Sequence, residues 1–283
     1  DVVIVVGAST ATESVDRPNL SMDDHVDELI AAVATKKPTV VLMEVPGAVL
    51  TPWRQQVAAI ACLFPGGERS GAAWAAVLFG DVSPSGKLPL VMPGSSHGLL
   101  HPTTGEVVYK EGLRTSYRAP DLQAAFTFGH GLSYTTFEFG PPRSSILACD
   151  AAACVTMNVT NRGGMHGAEV VQGYVDFLGG STEDFKVLRC FQKTSVLAPG
   201  QTEEVMLKLY PRDLSKYDVD LHDWRQIEDF SLHLGASSGD FRFVMNMHVP
   251  SSAAFVSARP CWVMMLIALS FFRLCPCSFL TTP

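Results

Sequence analysis

Phe126-Thr-Phe-Gly-His-Gly-Leu-Ser-Tyr-Thr-Thr-Phe-Glu-Phe139 sets four phenylalanines and Tyr134 around two glycines, a density that strand or helix propensity does not explain. Gly129 and Gly131 permit backbone angles closed to other residues, and the aromatic mass can clamp the turn onto whatever lies beside it. The stretch therefore reads as a hinge between two packed bodies. The sequence agrees, because its periodicity differs on the two sides.

Upstream, residues 1–7 (Asp-Val-Val-Ile-Val-Val-Gly) form a continuous β-branched run ending in glycine, the pattern of a strand buried on both faces of a parallel sheet. From Ser21 the order Ser-Met-Asp-Asp-His-Val-Asp-Glu-Leu-Ile-Ala-Ala-Val predicts a helix capped by Ser21. Asp23 and Asp24 suit its positive end, and Val26, Leu29, Ile30 and Val33 share one face. Residues 39–45 and 57–64 read as further strands, and a second helix opens after Gly66-Gly-Glu-Arg-Ser-Gly and stops at Gly80. Strand, helix, strand implies a right-handed crossover and a covered parallel sheet. The glycines and prolines of 81–89 forbid regular structure, and an irregular connector runs on to about residue 139.

Downstream, apolar and polar residues alternate over 154–160, 168–175, 191–197, 203–209, 229–235 and 241–247, with Asn161-Arg-Gly-Gly, Ala198-Pro-Gly and Ala236-Ser-Ser-Gly as turns. That pattern predicts an antiparallel β-sandwich of roughly seven strands. The expected fold class is a partial α/β sandwich domain with a parallel sheet over residues 1–140, then an all-β sandwich over 141–249. Residues 250–283 form an unassigned apolar tail. Its run 261–272 is uncharged but shorter than the ~20 residues a spanning helix needs, and Arg273 and Pro276 interrupt it. Membrane anchoring through it is disfavoured.

The formal net charge is −7, with no basic block to follow a phosphate backbone, which argues against a nucleic-acid partner. Seven cysteines, without a Cys-x-x-Cys pair, argue against zinc and leave disulfides open. Asn19-Leu-Ser and Asn158-Val-Thr fit the glycosylation sequon. The chain starts at Asp1 inside an apparent strand with neither Met nor leader, so it reads as a fragment.

The residues from 126 to 137 resemble the Phe-Pro-Phe-Gly-His-Gly-Leu-Ser-Tyr-Thr-x-Phe signature of glycoside hydrolase family 3, which joins an α/β sandwich domain to a fibronectin type III-like domain. Further segments follow in the family's order. Leu78-Phe-Gly-Asp-Val-Ser-Pro-Ser-Gly-Lys-Leu-Pro is similar to its Leu-Phe-Gly-Asp-x-Asn-Pro-Ser-Gly-Lys/Arg-Leu-Pro, with Ser83 in place of Asn. Pro65-Gly-Gly-Glu-Arg-Ser-Gly departs from the family's segment at Arg69, and Tyr109-Lys-Glu-Gly-Leu-Arg-Thr-Ser-Tyr-Arg has Ser116 where glycine is usual. Val159-Thr-Asn-Arg-Gly-Gly-Met-His-Gly-Ala-Glu-Val-Val-Gln and Leu188-Arg-Cys-Phe-Gln-Lys resemble segments of the fibronectin-like domain. The resemblance reaches to about Val249.

The resemblance implies an exo-acting β-glucosidase or β-xylosidase that retains configuration, needing neither metal nor cofactor and acting on oligosaccharides or aryl β-glycosides. It also implies secretion. Such hydrolysis needs two carboxyl groups about one bond. In the family the nucleophile is an Asp on an N-terminal (β/α)8 barrel, which this sequence does not contain, and the acid/base is a Glu on a loop of the α/β domain. Glu13-Ser-Val-Asp16-Arg17 matches that loop: a Glu three residues before an Asp-Arg pair, just after a strand ending in glycine. Ala11 stands where many relatives have a second Glu, so Glu13 is the one Glu of the loop. Relatives often carry glycine or phenylalanine at the position of Ser14. Arg17 is a candidate sugar contact, although an Arg17–carboxylate fork could instead lock the loop.

Without the resemblance, Glu13 would read as a solvated loop carboxylate. Glu44 is a lesser candidate donor, Glu111 is expected to pin the connector, and Trp53 suits either a sugar platform or packing. His130, between glycines, suits backbone hydrogen bonding better than proton transfer. Rival constellations fail: Val5-Val-Gly-Ala-Ser-Thr lacks the later glycines of a dinucleotide fingerprint, Gly86-Lys87 is followed by Leu, and no Gly-x-Ser-x-Gly elbow occurs. The alternative function is a noncatalytic carbohydrate-binding or scaffold module whose contact surface is the fibronectin-like sandwich.

Overall fold

The computed structural model describes residues 1–99, 107–145, 149–177 and 185–251. The apolar run 261–272, with the tail beyond it, lies outside the described residues. Residues 1–249 pack as one unit.

The N-terminal sheet is parallel, in the order β1 (Val3–Ala8), β2 (Thr39–Glu44), β3 (Ala59–Leu63). Helix α1 (Val26–Ala34) links the first two strands, and α2 (Ser70–Leu78) follows the third. The apolar sequence of β2 suits its central place, and Val41, Leu42 and Met43 are buried there. Around it Val5, Ile30, Val45, Val49, Trp53 and Met92 close the core.

Two expectations for this region are corrected. Strand β1 is not buried on both faces: Val5 and Gly7 face the core, whereas Val2, Ile4 and Val6 face outward, with Val6 65% exposed. An unbroken apolar run says that both faces avoid water, not that this stretch of chain supplies both covers. Helix α1 also starts later than Ser21 would place it. Asp24 and His25 take left-handed angles (φ 53° and 58°), which no right-handed helix can include, so the first turn begins at Val26. Ser21 caps nothing, its N–H donating instead to Asn19 Oδ1 at 2.9 Å, and Leu29, expected on the buried face, is exposed. No residue of α2 is buried, and Phe79 at its end is 83% exposed.

The connector is less irregular than its composition suggests. Strands β4 (Met92–Pro93) and β5 (Ala124–Phe126) pair antiparallel, and β6 (Phe137–Phe139) enters the sandwich. The sandwich continues with β7 (Arg143–Ser145), β8 (Ala153–Asn161), β9 (Val170–Phe177), β10 (Val187–Lys193) and β11 (Thr202–Leu209). A small hairpin, β12 (Ser215–Asp218) and β13 (Asp223–Gln226), precedes β14 (Asp229–Ser237) and β15 (Asp240–His248). One sheet runs β10-β9-β14-β15, the other β11-β8-β6 with β7 also on β8. Val155, Met157, Val159, Val171, Val175, Leu207, Phe230 and Leu232 fill the space between them, the alternation expected of such strands. The strand expected at 191–197 ends at Lys193 and starts earlier, and the β12–β13 hairpin was not foreseen. Cys149 and Cys154 form a disulfide, while burial pushes the free thiols of Cys62 and Cys190 up to about 11 and about 12.

The aromatic stretch 126–139 is clamped from both sides. Leu88 N–H donates to the His130 carbonyl and Gly129 N–H to the Leu88 carbonyl, each at 2.8 Å. Ser83 Oγ, buried where Asn is usual, lies 2.8 Å from Ser133 Oγ and accepts the Tyr134 N–H. From the sandwich, Gln172 Nε2 donates to the carbonyls of Gly129 (3.0 Å) and Ala236 (2.6 Å), and Tyr174 Oη donates to Gln172 Oε1. Among the described residues no helix is long and apolar enough to cross a membrane.

Candidate active site

The chain leaves β1 at Ala8 and returns to α1 at Val26 through a loop lying beyond the C-terminal ends of β1 and β2, the edge at which open α/β sheets bind ligands. Its tip is a two-residue turn. Thr12 and Val15 bridge antiparallel, and between them stand Glu13 and Ser14, the latter at φ 67°. A left-handed angle is where a side chain costs most and glycine least, which gives a physical reason for a glycine at this position. The turn leaves Glu13 exposed.

The base of the loop is tied down. Arg17 Nη1 donates to Ser9 Oγ at 3.2 Å and Nη2 to the Ala48 carbonyl at 2.6 Å, so this guanidinium joins the loops after β1 and β2. The bonds run to a hydroxyl and a carbonyl, not to Asp16, which is exposed: the loop is locked, but not through a carboxylate fork. Asp23 Oδ2 accepts the Thr10 N–H at 2.7 Å. Asp27 accepts Met22 N–H through one oxygen and Trp53 Nε1–H (2.7 Å) through the other. Trp53 is buried in the core, so packing, not a sugar platform, is its role here.

These loops enclose a cleft of about 940 Å³. Thr12, Val15, Asp16 and Arg17 line it from the loop tip, and Asp23, Asp24, His25, Asp27 and Glu28 from the start of α1. Glu13 stands at the rim and is not among the lining residues. The structure thus brings Arg17 into the cleft, and brings Glu13 to its edge. Of the acidic wall from 23 to 28, Asp23 and Asp24 were expected as helix-end charges and Asp27 and Glu28 were not singled out. What could have revealed them was their place after the same strand edge as Glu13. Such a wall offers many acceptors to a polyhydroxylated ligand and none to an anion.

The other candidates lie elsewhere. Glu44 Oε1 accepts the Gly66 N–H at 3.4 Å at the end of β2. Glu111 does not pin the connector through its carboxylate as expected: Oε2 is buried without a hydrogen-bond partner. His130 bonds through its backbone, and burial, then the Lys87 charge, hold its ring below the ordinary histidine value. Among the described residues no three His, Cys, Asp or Glu side chains gather into a metal site.

Comparison with known proteins fits this geometry. Residues 1–134 match the glycosyl hydrolase family 3 C-terminal domain, and residues 169–238 the fibronectin type III-like domain. The chain is 37% identical over 255 residues to a beta-glucosidase of Rhizobium radiobacter, an alignment covering 84% of this chain and 31% of that protein. It is 34% identical to a beta-xylosidase of Formosa agariphila, covering 84% of this chain and 34% of that protein. The crystal structure of a beta-D-glucoside glucohydrolase from Trichoderma reesei superposes with a TM-score of 0.81 at 30% identity, over 88% of this chain and 40% of that one. The chain spans about a third of the length of the curated relatives it matches. With one family domain running into the other in this order, the chain belongs to glycoside hydrolase family 3 and corresponds to the C-terminal portion of its β-glucosidase and β-xylosidase relatives.

Proposed function

We propose that this chain supplies the general acid/base of a retaining, exo-acting β-glycosidase, a β-glucosidase or β-xylosidase, and that Glu13 is that residue. The observation that carries the reading is the turn at 12–15. It presents a lone carboxylate outward at the rim of a cleft, beyond the C-terminal strand ends, on a loop fastened by Arg17. In the first step Glu13 would protonate the departing glycosidic oxygen. In the second it would take a proton from the water that releases the sugar.

A general acid of this kind works with a carboxyl partly screened from water, and Glu13 here is exposed. The reading therefore places the sugar pocket's floor, and the attacking Asp, on a (β/α)8 barrel outside these residues. The outward aliphatic row Val2, Ile4 and Val6 is consistent with such a cover. Arg17, with two bonds holding the loop, acts first as a positioning residue and second as a candidate sugar contact. The domain division near residue 140 and export from the cell belong to the same reading.

The test is Glu13→Ala in the protein that includes the barrel. Turnover of an unactivated disaccharide should fall by about 10²–10⁴, with a smaller loss on an aryl glycoside whose leaving group needs no proton. Added azide should restore rate by forming the glycosyl azide. Equal, small losses on both substrates with no azide rescue would overturn the assignment. The 283 residues alone should show no turnover, since one member of an interdependent pair is absent. The position of Glu13 at the rim, outside the cleft lining, favours a second reading, a noncatalytic carbohydrate-binding module, which predicts full activity for Glu13→Ala.

A further inference from the structure

We propose a second carbohydrate-binding site, on the β12–β13 hairpin of the sandwich, where Tyr217 and Trp224 form an exposed platform for the face of a pyranose ring. The two residues are direct cross-strand partners. Their rings meet edge to face at 5.6 Å between centroids, and they are 49% and 59% exposed. In a ladder of period two, Lys216 and Arg225 occupy one face and Tyr217 and Trp224 the other. On the first of these faces Lys216 Nζ lies 4.9 Å from the centre of the Phe177 ring at the end of β9, while Arg225 is exposed.

The chemistry of the outward face selects its ligand. Tyr217 Oη, Trp224 Nε1 and the Gln226 amide, the register neighbour on that face, make no hydrogen bond among the described residues and remain free for hydroxyl groups. None carries charge. Arg225 is occupied on the far face with Asp218 at 3.5 Å, so nothing on the platform attracts phosphate or a charged peptide. Size argues against a protein partner. Two strands of four residues, at about 3.4 Å per residue and about 4.8 Å apart, offer on the order of 100–200 Å². A stable protein interface takes roughly 800 Å² from each side, and the exposed tip residues Val219 and Leu221 do not close that gap. A sugar ring or two fits the area, and flat amphipathic side chains with two torsions bind at low entropic cost.

The choice of a neutral β-linked glycan as ligand rests on the glycosidase reading, whereas the site itself is independent of Glu13. The experiment titrates the full chain with cellohexaose and with xylohexaose, following indole fluorescence and heat. Saturable binding that is insensitive to salt is expected, weakened about tenfold or more by Trp224→Ala and by Tyr217→Ala, and largely kept by Trp224→Phe. The dependence on Trp224 and Tyr217 reads the hairpin whether or not Glu13 is the acid/base, so failure here and failure of that assignment are distinguishable. Circular dichroism and melting of each variant separate lost binding from lost folding. Absence of binding by the unaltered chain, unchanged affinity in a folded Trp224→Ala, or a Trp224-dependent self-association in sedimentation would each overturn the proposal.

Discussion

Lys87 Nζ lies 2.7 Å from Glu169 Oε1, and with side chains only 12% and 9% exposed the two form a buried ion pair between the connector and the sandwich. Lys87 also donates to the Gly131 carbonyl at 2.7 Å, and Glu169 Oε1 accepts the Val170 N–H at 2.7 Å. Removing one partner strands a charge away from water. Lys87→Met should therefore cost about 3–5 kcal/mol in denaturant unfolding, and Lys87→Met with Glu169→Gln should recover a large part of it. Equal losses in the single and double variants would show that the pair is not coupled.

Gly131 carries no side chain for a steric reason. A Cβ there would overlap the Gly86 carbonyl oxygen, a backbone atom that cannot swing aside. Gly131→Ala should lower the unfolding midpoint by an amount equivalent to about 2 kcal/mol or more, with little change in the denaturant slope.

Ser116 stands at φ 55°, at a position where the family pattern has glycine. Ser116→Gly should raise stability by about 1 kcal/mol by removing the left-handed penalty. Ser116→Val should lower it, because a β-branched side chain tolerates that region worst. Thermal melts of the two variants give the comparison.

His130 titrates below its ordinary value of 6.5, first because burial disfavours the cation and then because Lys87 repels it. His233 is lowered by burial and by Lys186, against the pull of Asp176. Both rings are more easily protonated once unfolded, so the unfolded chain binds more protons as pH falls past 6.5. Stability should hold above about pH 6.5 and decline as pH falls through the depressed folded values. His130→Gln should flatten that decline in urea melts taken between pH 7 and 5.

The junction, the parallel sheet and the sandwich strands were legible because each rests on a local signal: glycine among aromatics, β-branched runs, alternation. The late start of α1 was not, since Asp24 and His25 have no glycine to announce their left-handed angles. The exposed face of β1 was hidden because apolarity records that a side chain is covered, not by what. The β12–β13 hairpin was missed because Lys-Tyr-Asp and Asp-Trp-Arg are short and flank a tip, Val219-Asp-Leu-His, that has neither glycine nor proline to mark the turn. Of the proposed site, only the spacing of Glu13 to Asp16-Arg17 singles that residue out in the sequence. The acidic wall at 23–28 escaped because Asp23 and Asp24 are satisfactory helix-end charges in their own right, and Asp27 and Glu28 read as the polar face of a helix.

The bond from Gln172 to both Gly129 and Ala236, with Ser238 N–H donating to the Phe128 carbonyl at 2.9 Å, sets a timetable for the newborn polypeptide. The aromatic turn leaves the ribosome about 90 residues before the strand that completes its clamp begins. At about 5–20 residues per second that is a wait of several seconds or longer. During it Phe137 and Phe139 wait for the sandwich core they pack into, whereas Phe126 joins the N-terminal core and Phe128 stacks on Tyr117, so the last strand pair of the sandwich, not the first sheet, completes the junction.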